Sequence, residues 1–209
     1  MTPIGLVRFA TYQSSIRFWS LFVSATSGLD CIYFFLPRMF IGLSLKGGFD
    51  MIVRHWLEAD IPQAFKLMRE LAVFENYLET FHGSEKILLE QGFKLDPPNF
   101  YCLVAELEQE IVGVLVYYFL PYTASGKPML FMKELIVAEH ARGSGAGTAL
   151  MKAAATEAKA RGCVGMKWTV ASWNDAGAKF YEKLGATNDP VWVEHYLTSD
   201  ALEKLVGTQ

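Results

Sequence analysis

Cysteine is scarce in this sequence, and positive charge is not in excess. The three cysteines, Cys31, Cys102 and Cys163, lie far apart with no C-x-x-C pair, so neither a disulfide framework nor a cysteine-rich metal site is expected. Reduced thiols in a cytoplasmic setting are the simplest reading. The four histidines, His55, His82, His140 and His195, show no metal-ligand spacing, and no metal is expected. A formal net charge of -3 leaves no basic footprint for a phosphate backbone, which speaks against a nucleic-acid partner. Small-molecule or protein partners remain.

Long apolar runs are also missing. Within residues 1–50 the uncharged stretches 18–29 and 31–37 are each shorter than the roughly 20 residues of a bilayer span, and Asp30 separates them. That segment holds four Arg/Lys, two Asp and no Glu, against fifteen Arg/Lys and twenty Asp/Glu afterwards. It reads as an extension outside the functional domain, as a targeting segment, or as a membrane-associated arm, although Ile32-Tyr33-Phe34-Phe35-Leu36 is more hydrophobic than a transit peptide usually is. No membrane association is expected for 51–209. With 52% hydrophobic and 20% charged residues the chain can bury one full core.

From Met51 onward the patterning alternates between strand and helix, which is an α/β signature. Strands are expected at 51–57, 100–106, 111–119, 128–137, 164–170 and 191–196, with a hairpin turn at Glu108-Gln109-Glu110. Asp60 should cap a helix carrying Ile61, Phe65, Met68, Leu71 and Ala72 at helical spacing. A second helix is expected at 84–91. An Ala-rich third should run to Ala160, stop at Gly162 and pair Glu157 with Arg161. Asn174 should cap a fourth, carrying Gly177, Phe180, Tyr181 and Leu184, before Gly185 stops it. A short C-terminal helix closes the chain.

The most informative segment is Arg142-Gly143-Ser144-Gly145-Ala146-Gly147-Thr148, set between an apolar strand and a helix. Alternating glycines let a backbone approach a ligand closely, and the free N–H groups of a helix start attract an anion. A Walker loop needs Lys after its final Gly, where this chain has Thr148. A dinucleotide fingerprint needs one more residue after Gly145. What remains is R-x-x-G-x-G, carried by Arg142, Gly145 and Gly147.

With the preceding strand, and with Trp173-Asn174, Phe180-Tyr181 and Leu184-Gly185-Ala186 downstream, that pattern resembles the coenzyme A loop of the GNAT superfamily of N-acetyltransferases. Within it the sequence is most similar to the diamine (spermidine/spermine) and thialysine acetyltransferases, through Glu70-Leu71-Ala72 with Glu75, Leu88-Leu89-Glu90 with Gly92-Phe93, 102–106, 111–113 and 117–119. The resemblance implies a GNAT fold with a mixed, mostly antiparallel sheet of six to seven strands flanked by helices. It also implies acetyl-CoA as cosubstrate, a small-molecule amine as acceptor and a homodimer. Alternatives are a protein lysine or N-terminal acetyltransferase and a non-catalytic acyl-CoA sensor.

Acyl transfer to an amine needs a neutral amine, a polarised thioester carbonyl and a donor for the departing thiolate. An alkylamine near pKa 10.4 is neutral to only about 1 part in 2,500 at pH 7, a handicap of ~4.6 kcal/mol. The resemblance gives Leu135, Ile136 and Val137 the thioester oxygen, Gly143 to Thr148 with Arg142 the pyrophosphate, Asn174 the pantetheine arm and Tyr181 the acid role. Asn174 equally suits a helix cap, and Tyr181 a core position. Candidate acceptor contacts are Phe74, Glu75, Lys133 and Glu134. The relatives carry an acidic pair where this chain has Lys133-Glu134, and in a regular strand those neighbours would face opposite sides.

Overall fold

A computed structural model describes residues 41–43, 51–189, 191 and 193–207. One sheet runs in chain order β1 (Ile41–Leu43), β2 (Met51–His55), β3 (Tyr101–Leu107), β4 (Glu110–Leu120), β5 (Met129–Val137) and β6 (Met166–Lys167). The helices are α1 (Ile61–Phe74), α2 (Glu85–Phe93), α3 (Ala146–Ala160), α4 (Asp175–Lys183) and α5 (Ser199–Gly207). The sheet is mixed: each step from β1 to β5 is antiparallel, and the last step is parallel.

Residues 51–209 contribute five strands, where six to seven were expected. The expected strand at 191–196 does not form among the described residues, and Val191, Val193 and Tyr196 are 73–86% exposed with no strand beside them. The expected strand at 164–170 shortens to Met166–Lys167 because the chain leaves the edge of β5 after Phe131 pairs with Lys167. The sixth strand comes from upstream of Met51, where Ile41 pairs with Val53. The rest of the 1–50 segment lies outside the described residues.

The β3–β4 hairpin turns through Glu108 and Gln109 with φ of 51° and 69°, the left-handed pair that a two-residue hairpin loop requires. The sheet's centre is fully buried through Val104, Val112, Val114, Leu115, Tyr117 and Leu130. One face carries α3, since a Cβ at Gly113 would touch Leu150, and α1 packs on β4 and β5 from the other side.

Two sequence-based pairings are corrected. Asp60 precedes α1 but makes no side-chain cap to it. Its carboxylate accepts from Arg54 Nη2 at 2.9 Å and from the Leu57 amide at 2.6 Å, while Arg54 also reaches Glu106 at 2.8 Å. A part-buried carboxylate is held more strongly by a guanidinium than by a helix amide. Glu157 pairs with His55 at 3.0 Å rather than with Arg161, whose guanidinium lies 4.6 Å from the Phe119 ring centre.

Candidate active site

The turn from β5 into α3 is built for an anion. Gly143 and Gly145 adopt φ of 83° and 93°, a region that side chains disfavour, and Gly145 is the N-cap of α3. A glycine cap has no side chain to satisfy the opening turn. Among the described residues the amides of Gly143, Gly145, Gly147 and Thr148 meet no acceptor, while that of Ala146 takes the Ser144 hydroxyl at 3.4 Å. Four free donors thus lie at the positive end of a 15-residue helix. Arg142 is exposed beside them and has no acidic partner among the described residues.

These residues open onto a cleft of about 950 Å³. Its floor is the outer edge of β5, which pairs with β6 only at Leu130 and Phe131, so Leu135, Ile136 and Val137 face the gap left by the splayed strand. Glu70, Leu71 and Phe74 of α1 form one wall, and Asn174, Phe180 and Tyr181 form the other. Of the expected cosubstrate contacts only Ser144 does not line this cleft, its hydroxyl being spent on the turn itself.

The α4 wall is held tightly to the loop. The Asn174 carboxamide accepts from the Gly177 amide at 2.9 Å, so it is a cap and also a cleft residue. A Cβ on Gly147 would sit 3.3 Å from the Phe180 ring, so the glycine allows α3 and α4 to approach. Tyr181 packs 5.0 Å from Trp168 and 5.1 Å from Phe180. Burial, reinforced by the charge of Glu75, pushes its phenol up to about 12, so the hydroxyl keeps its proton at neutral pH.

The acidic side of the site corrects the sequence reading of β5. Val116 pairs with Glu134 and Tyr117 with Met132, so Lys133 is the extra residue of a β-bulge. Simple alternation breaks there. Neither Lys133 nor Glu134 lines a described cavity: Lys133 is exposed, and Glu134 is half-buried on a face shared with Val116 and Cys102. Burial raises the Glu134 carboxyl above its usual range; Lys133 opposes that and Glu75 adds to it. Glu75 is exposed and lines neither cavity, yet its charge reaches Tyr181, Glu134 and Tyr77. The sequence reading had not singled out Tyr77, whose hydroxyl is pushed up to about 12 by burial and then by Glu134 and Glu75. Phe180, which the sequence marks only as part of the apolar stripe of α4, also lines the cleft. No cluster of three or more His, Cys, Asp or Glu fit to hold a metal occurs among the described residues.

An anion-binding loop beside a splayed strand and a half-buried tyrosine invites comparison with acyltransferases. The family model described as Acetyltransferase (GNAT) family matches residues 64–186. The chain belongs to the GNAT acetyltransferase family. Among curated relatives, the mouse thialysine N-epsilon-acetyltransferase is 31% identical over 166 residues, covering 74% of this chain and 96% of that protein. The human spermidine/spermine N(1)-acetyltransferase-like protein 1 is 33% identical over 141 residues, 64% of this chain and 20% of that longer protein. A metagenomic aminoglycoside acetyltransferase from an uncultured soil sample, solved with trehalose, superposes with a TM-score of 0.60 at 27% identity, covering 71% of this chain and 95% of that one. GNAT enzymes use acetyl-CoA, and this chain is an N-acetyltransferase of that family.

Proposed function

We propose that the protein transfers the acetyl group of acetyl-CoA to the primary amine of a small molecule of diamine or lysine-analogue type. The observation that carries this reading is the cleft itself, which joins the free amides of the Gly143–Thr148 turn to Tyr181. The amides of Gly143, Gly145, Gly147 and Thr148, with Arg142, bind the pyrophosphate. Asn174 contacts the pantetheine arm, and a β5 amide among Leu135, Ile136 and Val137 polarises the thioester carbonyl. Glu75 and Glu134 draw in the acceptor's ammonium, and Phe74 lines its path.

The amine nitrogen bonds to the acetyl carbon, the carbon–sulfur bond breaks, and the amine's surplus proton leaves. Tyr181 faces the departing sulfur. A full proton transfer from a phenol near 12 to a thiol near 8.5 runs uphill by roughly 5 kcal/mol. The hydroxyl therefore supplies first a charge-assisted hydrogen bond to the thiolate, and the amine's proton restores neutrality.

The relatives named for thialysine and for spermidine/spermine support an amine acceptor. A short acceptor fits better than a long polyamine, which needs several carboxylates along its path. The exposed segment 120–125 has no acid, and the bulge turns Lys133 out where an acid would otherwise add to the pairing. With Lys133 exposed outside the cleft, its repulsion of a cationic acceptor is weaker than the effect of the missing acids. A homodimer fits the string of exposed Val191, Val193, Tyr196, Leu202 and Val206. The free thiols of Cys102 and Cys163 fit a cytoplasmic setting, and no helix among the described residues is long and apolar enough to cross a membrane. The test is kcat/KM for thialysine, a short diamine, spermidine and spermine at one ionic strength. A short amine should lead; spermine or spermidine leading by tenfold or more would overturn the acceptor assignment.

A further inference from the structure

Phe74 ends α1, and Trp173 immediately precedes the cap of α4. Their ring centres are 5.3 Å apart at 61°, an edge-on contact between Phe74, which lines the cleft, and Trp173, which does not line it but adjoins the lining residue Asn174 at its rim. Both rings stay largely in water, 44% and 52% exposed, and neither belongs to the core or to the residues packed against it. The contact is not needed to dock α4, because Phe180 and Tyr181 already pack on the core and Trp168 backs Tyr181. Two large exposed rings touching at the rim of a cleft are a costly arrangement for a fold and a useful one for a ligand. Glu75 follows Phe74 in the chain, and its charge is felt at Tyr181 and Glu134, so the ring pair stands beside the acidic end of the site.

We propose that Trp173, paired with Phe74, forms an aromatic strap that walls the acceptor end of the cleft and determines which amines are used. The exposed ring faces receive the distal ammonium of a short diamine and cover its methylene chain, while the other nitrogen, having lost its proton, reaches the thioester. The strap also keeps water from the thioester carbonyl, where attack would break the same carbon–sulfur bond to give acetate and free thiol. This inference rests on the amine-acetyltransferase reading above and deepens it.

The test compares the full-length wild type, Trp173→Ala and Trp173→Phe. Three readouts are needed: acetyl-CoA affinity by calorimetry, kcat and KM for a short diamine, and thiol release without amine. Trp173→Ala should raise the amine KM roughly tenfold and increase amine-independent thiol release, with acetyl-CoA affinity unchanged within about twofold. Trp173→Phe should recover most of the amine KM. Should Trp173→Ala fail to fold, Phe74→Leu carries the same expectation from the other side of the contact. An unchanged amine KM, or an acetyl-CoA Kd that rises in step with it, overturns the strap while leaving the amine reading intact. A wild type that releases no thiol with any amine overturns both.

Discussion

At the residue scale, Tyr181 and Glu134 carry the sharpest expectations. Tyr181→Phe keeps the ring and its packing on Trp168 but removes the donor, so kcat should fall by roughly 10²–10³ while acetyl-CoA affinity holds. Single-turnover kinetics beside calorimetry would separate the two effects, and wild-type turnover would return Tyr181 to a packing role. Because the phenol is held near 12, wild-type kcat should rise as the amine deprotonates and show no tyrosine-limited fall before about pH 11. Glu134 behaves in the opposite sense for stability. Its folded carboxyl is raised, so ionisation at neutral pH opposes folding, and the penalty vanishes below the unfolded value near 4. Glu134→Gln should therefore raise Tm at pH 7. The gain should disappear near pH 4, and amine kcat/KM should fall. A scan of Tm against pH checks both halves.

At the scale of elements, the Gly143–Thr148 turn was the part of the site most legible in the sequence. Its glycines encode positive φ and bare amides locally, with little help from tertiary context. Gly145→Asp places a side chain at φ of 93° and a negative charge among four free amides, so acetyl-CoA binding should drop at least tenfold in a folded protein. Unchanged affinity by calorimetry would reduce the turn to a structural feature. The strand before it was legible in extent but not in facing. The bulge at Lys133 is set by the register of Val116 and Tyr117 on the neighbouring strand, and nothing local in Met132-Lys133-Glu134 announces it. Asp60 and Glu157 were misassigned for a related reason. Each was given a partner close in sequence, and each binds a residue on β2 instead. The Phe74–Trp173 contact joins residues 99 positions apart and could not be read from either segment alone.

At the scale of the molecule, the α/β order was legible because most strands and helices carry their own periodicity. The sheet's two margins were not, since an edge strand depends on what stands beside it. The 191–196 segment alternates like a strand yet forms none among the described residues, while Ile41–Leu43, within a segment set apart by its composition, pairs with β2. Removing residues 1–50 should leave an active enzyme, because the cleft is lined by residues 70–181, but should lower Tm by exposing the edge of β2. A truncation starting at residue 41 should keep more of that stability, and loss of activity in both forms would show that the extension belongs to the functional unit. The central claim is transfer from acetyl-CoA to a small amine. Its most direct test is thiol release by the full chain with acetyl-CoA and a panel of short amines, with the product identified by mass spectrometry. Amine-dependent release and a mono-N-acetylated small amine are expected; release that no small amine stimulates, or acetylation confined to a peptide, would contradict transfer to a small amine.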